Sequence, residues 1–269
     1  MVHKSPSSGR ACPLIGSNAM LAPLRLASFA FALLAAFVAP CFGGGAGVTY
    51  QERPVIGGGR LEGRILAADH VPITERILIT KDQEICGNER MLGEDLPAGA
   101  GLAGAIIFFP DIVGGKPFAT NQTTEIMQKG CRFISARAVN GPNARLRLAN
   151  LDSITHNIHV SEVIGRGSRA IHNVGQYPGG SDLELPVTLT RGNVVRLTCG
   201  IHSFMETWIF VARNPYYAVA DENGAFAIND IPAGQHRLAL WHPSYGAEYL
   251  TVTMRPGQRI NLTHSLRLK

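Results

Sequence analysis

Short runs of apolar and β-branched residues recur along most of the chain, and Gly, Pro and Asn residues separate them. Runs of this length between turn residues are typical of β-strands, and their spacing is typical of β-sandwiches. Long helical periodicity is absent from the sequence, so we predict an all-β fold with a single helical turn at 125–129. The predicted strands are 60–67, 104–109, 132–139, 144–150, 155–160, 185–189, 194–198, 207–212, 216–220, 225–228, 236–241, 249–255 and 258–266.

The first residues of the chain have the three parts of a signal peptide. Residues 1–46 contain three basic residues and no acidic residue, and 26–39 is an apolar run too short to cross a bilayer comfortably. The small residues at 43–46 suit a cleavage site. We therefore predict a signal peptide at 1–46 and a protein located in the periplasm or secreted. Two alternatives stay open, namely translation from Met20 and an N-terminal anchor that is not removed.

Much of the positive charge of the chain belongs to this leader. The formal net charge is +5, but the chain beyond the leader has 22 basic and 20 acidic residues. This balance, without a dense basic cluster, argues against a nucleic-acid partner. The same part of the chain has no apolar run long enough for a membrane helix, so we expect no membrane span in the mature protein.

One segment near the end of the chain combines side chains that bind soft metal ions. Cys199, His202 and Met205 follow the spacing Cys-x2-His-x2-Met, and His156 lies 43 residues upstream of Cys199. Three ligands this close in sequence can surround one ion only if the chain curls, so we predict a loop between two strands. A thiolate, two imidazoles and a thioether are the ligand types of a mononuclear blue-copper site. His159 would face away from His156 in an extended strand.

These residues resemble the metal-binding segments of cupredoxins, the blue-copper family that includes plastocyanin, azurin and amicyanin. The resemblance extends over about 128–212 and includes a His-Asn pair at His156 and Asn157. It implies a Greek-key β-sandwich in which Asn157 hydrogen-bonds between the two ligand-bearing segments and helps to hold the ligands. It also implies one copper ion, as Cu(I) or Cu(II), bound by His156, Cys199, His202 and Met205.

The same resemblance implies where electrons enter and leave the protein. In this family the downstream histidine, here His202, reaches the surface through an apolar patch, which Ile201 and Phe204 would form. The expected partner is a periplasmic redox protein that makes a small and transient contact.

Zinc is the alternative metal, and the remaining cysteines bear on it. A Cys-x2-His pair also occurs in zinc sites, but a Cys2His2 site would need a second nearby Cys. Cys86 and Cys131 lack that spacing, and the thioether of Met205 is a poor zinc ligand. In an oxidising compartment a disulfide between Cys86 and Cys131 is the simplest arrangement, and two buried free thiols are the alternative.

A second resemblance covers the C-terminal part of the chain, 213–269. An Asp-x-x-Gly-x-Phe hairpin at 221–226, followed by Pro-x-Gly at 232–234, resembles the carboxypeptidase-regulatory-like, prealbumin-type β-sandwich. We expect a smaller sandwich without chemistry of its own. The β-prone segment at 47–127 is predicted to supply its opening strands, so that the copper domain is inserted into a split sandwich.

Together these features predict a periplasmic blue-copper protein that carries single electrons between redox partners. A copper-binding or trafficking protein that passes on Cu(I) is one alternative, because the same soft ligands would serve it. A metal-free β-sandwich interaction module is another. We expect no enzymatic activity, because copper oxidases and nitrite reductases need further His-x-His motifs that this sequence lacks.

Overall fold

The computed structural model describes residues 49–70, 75–92, 95–119, 123–135, 137–141 and 143–268. At 138–140 only the backbone is described. The predicted signal peptide at 1–46 lies outside the described residues. Within the described chain, no helix is long or apolar enough to cross a membrane.

Strands dominate the described chain, which confirms the predicted all-β sandwich fold. One short helix, α1, spans Gln83–Cys86. The strands are β1 (Gln51–Glu52), β2 (Gly59–Ala67), β3 (Glu75–Leu78), β4 (Glu89–Leu92), β5 (Ile106–Phe108), β6 (Gly114–Gly115), β7 (Thr123–Gln128), β8 (Phe133–Ser135), β9 (Ala138–Asn140), β10 (Arg145–Asn150), β11 (His156–Ile164), β12 (Gly167–Gln176), β13 (Leu183–Pro186), β14 (Val194–Cys199), β15 (Glu206–Ala212), β16 (Tyr217–Val219), β17 (Ala225–Ile231), β18 (Gly234–His242), β19 (Gly246–Met254) and β20 (Arg259–Leu266).

The first sandwich consists of two sheets formed by β7 to β15. Their strand orders are β13-β10-β7-β8 and β12-β11-β14-β15-β9. Buried and half-buried residues alternate along β11, as expected for a strand that turns one face to a core. The core residues between the sheets include Ile126, Leu146, Leu148, Ile158, Val160, Val195, Leu197 and Ile209.

The register of two central strands sets the position of the predicted ligands at one end of this core. β11 and β14 are antiparallel, and Ile158 pairs with Cys199. Because side chains on a strand repeat every two residues, His156 lies on the same face as Ile158, just beyond the end of β14. The fold therefore brings His156 beside Cys199 although they are far apart in sequence.

The second sandwich combines strands from before and after the first one. β2 pairs with β17 and β20, and β5 pairs with β16 and β18. The resulting sheets have the orders β17-β2-β20 and β16-β5-β18-β19. Their shared core includes Leu61, Ile65, Ile107, Phe226, Leu238, Leu240 and Met254. The segment that precedes the first sandwich thus supplies two strands to the second.

The two sandwiches pack through their outer faces. Phe210 of β15 is buried against Phe108 of β5, with ring centroids 4.6 Å apart. Trp208 and Trp241 meet beside them at 6.3 Å. These aromatic contacts join the sheets into one compact unit over 46–269.

The predicted helical turn at 125–129 is wrong. These residues belong largely to strand β7, because β7 pairs in parallel with β10 along its whole length. Strand β12, which contains His172, was not among the predicted strands and pairs with β11. In both places inter-strand pairing decides the structure, and local composition does not.

Candidate metal centre

The thiol of Cys199 lies at the closed end of the first sandwich. Cys199 is the last residue of β14, and the loop from Gly200 to Met205 returns the chain to β15. The N–H of Cys199 donates to the carbonyl of Met205, and the N–H of Met205 donates to the carbonyl of His202. These bonds curl the loop so that the side chains of Cys199 and His202 face each other.

Two imidazoles face this thiol with the same ring atom. Nδ1 of His156 and Nδ1 of His202 each lie 3.8 Å from Sγ of Cys199. All three side chains are buried, and Cys199 is the free cysteine of the described chain. Their ligand atoms lie within 4.8 Å of one another. The fold thus brings three of the four predicted ligands into one cluster.

The separation of these donors fits a metal ion between them. Nitrogen and sulfur ligands at about 2.1 and about 2.3 Å from one ion, with an angle of about 120° between them, are about 3.8 Å apart. The grouping of one thiolate and two imidazoles suits copper. Met205, the fourth predicted ligand, is buried in the same side-chain cluster as Cys199.

His156 is held by a carboxylate of its own domain. Nε2 of His156 lies 3.0 Å from Oδ2 of Asp152. Asp152 also accepts N–H bonds from Gly130, at 2.6 Å, and Cys131, at 2.9 Å. Burial raises the pKa of Asp152, but these N–H groups and His156 outweigh burial and lower the pKa below its ordinary value. A charged acceptor on Nε2 leaves Nδ1 of His156 free to face the metal position.

His202 is held in the same way from a distant part of the chain. Its Nε2 lies 2.9 Å from Oδ2 of Asp82, which precedes helix α1. His202 is 1% exposed, so its ring does not reach the surface. This differs from the expectation that His202 lies at the surface within an apolar patch, and the physical reason is the segment that carries Asp82.

A disulfide lies against both imidazoles. Cys86 and Cys131 are joined, and neither is a free thiol in the structure. Ligand atoms of this pair lie within 4.8 Å of a ring nitrogen of His202, and Cys131 has the same relation to His156. The disulfide therefore forms part of the wall of the centre.

Ile201 and Phe204 are half-buried and pack against the cluster that contains Cys199. The Phe204 ring lies 5.9 Å from that of His202, between centroids. Its other neighbour is the Arg90 guanidinium, 5.4 Å from the ring centre. The predicted partner patch is thus partly exposed, whereas His202 beneath it is covered.

Asn157 links the two ligand-bearing segments through its backbone. Its carbonyl accepts the N–H of Gly200 at 2.8 Å. Its side chain instead bonds with Asn173, at 3.0 Å, and with His159, at 2.5 Å, on the opposite face from the metal ligands. The role implied by the resemblance is thus carried by backbone atoms.

The thiol of Cys199 ionises more easily than an ordinary cysteine. Burial opposes ionisation, but hydrogen bonds from His156 and from backbone N–H groups, including that of Asn157, outweigh it. They lower the pKa of Cys199 to about 6. Burial lowers the pKa of His156, but Cys199 and Asp152 reverse that effect and raise it. The cluster therefore favours the thiolate of Cys199 at neutral pH.

Sequence reasoning did not identify Asp82 and Asp152 as histidine partners. Asp152 lies four residues before His156 at the end of a predicted strand, so a short-range signal existed. Asp82 is 120 residues from His202 and belongs to no motif. No pattern in the sequence could have placed it at the centre.

Comparison with protein families gives a match for part of the chain. A family model described as polysaccharide lyase family 4, domain II, a fibronectin-like β-sandwich, matches residues 202–262. This span runs from the metal-site loop into the second sandwich and covers less than half of the chain. The prealbumin-type resemblance of that sandwich stays a prediction.

Among solved structures, the chain is similar to a copper-containing nitrite reductase from Thermus scotoductus SA-01, at 19% identity and a TM-score of 0.25. The alignment covers 38% of this chain and 25% of the reductase, so the chain spans far less than two thirds of that protein. No curated protein matches the chain. The copper assignment therefore depends on the donor set itself.

Proposed function

We propose that this protein is a type 1 copper protein of the periplasm that carries single electrons between redox partners. The observation that supports the proposal most strongly is the placement of two imidazole Nδ1 atoms at 3.8 Å from the Cys199 thiol. Each imidazole has a carboxylate on its far side. Such an arrangement fixes the ring orientation and the nitrogen that binds.

The residues of the centre have separate tasks. His156, His202 and Cys199 would hold the ion, and the thioether of Met205 would be a fourth, weaker ligand. When bound, copper would supply a one-electron couple between Cu(I) and Cu(II). The hydrogen bonds of Asp152 and Asp82 would keep the imidazoles in place in both states. Little rearrangement on electron transfer is what a carrier requires.

The ligand groups of the described chain support a site for one ion. Each possible metal-binding group there includes His156 or His202, and each is buried. We propose an electron carrier without a catalytic role, and the predicted signal peptide supports a periplasmic location.

The partner would contact the half-buried side chains next to the centre. Phe204 packs on His202 and Arg90 without being a ligand. We expect Phe204→Ala to slow electron exchange with a soluble one-electron oxidant, tris(phenanthroline)cobalt(III), and to leave the visible spectrum unchanged. Stopped-flow mixing measures this rate. An altered spectrum would mean that Phe204 supports the ligands and is not an exchange surface.

Redox cycling of the copper-loaded protein tests the proposed function. We expect repeated reduction and reoxidation at an electrode without loss of copper to a competing chelator. A trafficking protein would instead bind Cu(I) preferentially and lose the metal on oxidation. A protein that binds neither state would be a metal-free interaction module, and the electron-transfer proposal would then fail.

A further inference from the structure

A separate segment of the chain covers the metal centre from outside the first sandwich. Residues 75–92, here called the cap, comprise β3, α1 and β4. β3 and β4 pair only with each other among the named strands of the described chain. The cap therefore does not belong to either sandwich by strand pairing, and its position depends on side-chain contacts.

The cap is fastened to the first sandwich close to the centre. Its Cys86 is joined to Cys131 by the disulfide. Arg90, 7% exposed, donates to the carbonyl of Gly130 at 3.1 Å and lies over the ring of Phe204. The apolar cap residues Ile79 and Cys86 are buried in the same cluster as Cys199 and Met205.

The cap closes the centre at the outer edge of one imidazole. Asp82 accepts the Nε2 edge of His202 at 2.9 Å, and its own side chain is 29% exposed. His202 behind it is 1% exposed. On this side of the centre, solvent therefore contacts the carboxylate of Asp82 and not the imidazole of His202.

The backbone of Asp82 indicates that this contact is held by its surroundings. Its φ of 55° lies in the left-handed region, which a residue other than glycine seldom adopts. Cys131, the sandwich end of the disulfide, has a similar φ of 54°. Uncommon backbone conformations of this kind persist where surrounding contacts fix them, and they concentrate at functional sites.

We propose that Asp82 is the positioning residue of His202 and that the disulfide-anchored cap closes the copper centre. This inference rests on the proposed function, since it assigns the cap to that same site. A partner then meets Asp82 and the cap surface instead of the edge of His202. Copper is retained because His202 cannot swing outward while Asp82 holds its Nε2.

The first experiment measures the accessibility of individual histidines in the metal-free protein with diethyl pyrocarbonate and peptide mass mapping. In the unchanged protein we expect His70, 57% exposed as a side chain, to react rapidly and His202 to be protected. In Asp82→Ala, His202 should react about tenfold faster or more, the size of effect typical for loss of such a partner. His156 should stay protected, which shows that the sandwich remains folded.

Two further variants separate positioning from general disturbance. Asp82→Asn keeps an oxygen that accepts from Nε2, so it should restore most of the protection of His202. Asp95→Ala removes the carboxylate from an exposed pair with the same 2.9 Å separation, His70–Asp95, and should leave His202 protected. Mild reduction of the Cys86–Cys131 disulfide in the folded, metal-free protein should expose His202 as Asp82→Ala does.

The second experiment measures the rate at which the Cu(I)-loaded protein loses its metal to bicinchoninate. We expect Asp82→Ala to release copper about tenfold faster or more, and Asp82→Asn and Asp95→Ala to behave like the unchanged protein. Unchanged release and unchanged protection of His202 in Asp82→Ala would overturn the proposal, as would ready modification of His202 in the unchanged protein. A protein that binds no copper but shows the expected protection pattern would end the proposed electron transfer while leaving the cap established.

Discussion

His156 and His202 present the same atom to Cys199, but different parts of the chain hold them in place. Asp152 belongs to the same sandwich as His156, is 7% exposed, and is fixed by two backbone N–H groups. Asp82 belongs to the cap, and its side chain is 29% exposed. One half of the centre is therefore intrinsic to the sandwich, and the other half is completed by an added segment.

This difference has a consequence for the proposed copper site. The half around His156 is buried within the sandwich, so it would supply the base for the ion. The half around His202 is closed by a segment that pairs with neither sandwich, so the cap would set access to the ion.

The largest loss of stability is expected at the base, the half of the centre around His156. Asp152→Ala removes the acceptor for the half-buried N–H of Gly130, for the buried N–H of Cys131 and for Nε2 of His156. Each buried donor left without a partner costs about 1–3 kcal/mol, so we expect a loss of about 3 kcal/mol in the free energy of unfolding. Urea unfolding of the metal-free protein measures it. Asp152→Asn keeps one acceptor and should lie between Asp152→Ala and the unchanged protein.

Glu162 is a carboxylate that accepts backbone N–H groups as Asp152 does, but it lies away from the metal position. It tests whether stabilisation of this kind is electrostatic. Glu162 has a fully buried side chain and accepts the N–H groups of Thr190, Arg191 and Gly192 as well as the Arg169 guanidinium. Burial raises its pKa, but these donors outweigh burial and lower it from 4.5 to about 2.

Because the folded-state pKa of Glu162 is lowered, its stabilisation is present above about pH 4.5 and is lost as the pH falls through 2. We expect Glu162→Gln to lose about 2 kcal/mol at pH 7 and much less near pH 2. The matched control is Glu184→Gln, an exposed partner of Arg145. It should change stability by less than about 0.5 kcal/mol. A loss that is equal at both pH values would contradict the electrostatic explanation.

A smaller effect is expected where the two ligand segments touch. A Cβ on Gly200 would lie 2.6 Å from Oδ1 of Asn157 and 2.8 Å from Nε2 of His159. Both are ends of side chains that can shift, so we expect Gly200→Ala to cost about 1 kcal/mol, the low end of overpacking. Gly175 on neighbouring β12 has open space around it, and Gly175→Ala is the control. Equal unfolding temperatures for the two variants would show that Asn157 and His159 leave room for a Cβ at Gly200.

The smallest loss of stability is expected from a substitution in the cap. Asp82→Ala removes one hydrogen bond from a partly exposed carboxylate, so we expect a loss of about 0.5–1 kcal/mol in the same urea experiment. The contrast with Asp152→Ala sharpens the comparison between the two halves. Equal losses for the two variants would show that both halves of the centre are built alike.

The sequence predicts the half of the centre around His156 better than the half that the cap closes. The loop ligands are close in sequence, and the alternation along β11 places His156 on the core face, so local spacing carries that information. Asp82 acts across 120 residues of sequence, and only the tertiary fold brings it to His202. The same limit applies to β7, whose Glu125 and Met127 favour helix by composition while pairing with β10 imposes a strand.

The most direct test of the central claim is a visible and EPR spectrum of the Cu(II)-loaded protein beside that of Cys199→Ser. We predict an intense thiolate-to-copper absorption in the unchanged protein, together with an EPR signal from the same ion. The absorption should disappear in Cys199→Ser, because the remaining ligands, His156, His202 and Met205, supply no thiolate. A colourless protein, or a band that persists without Cys199, would contradict the assignment of a copper centre at this thiol.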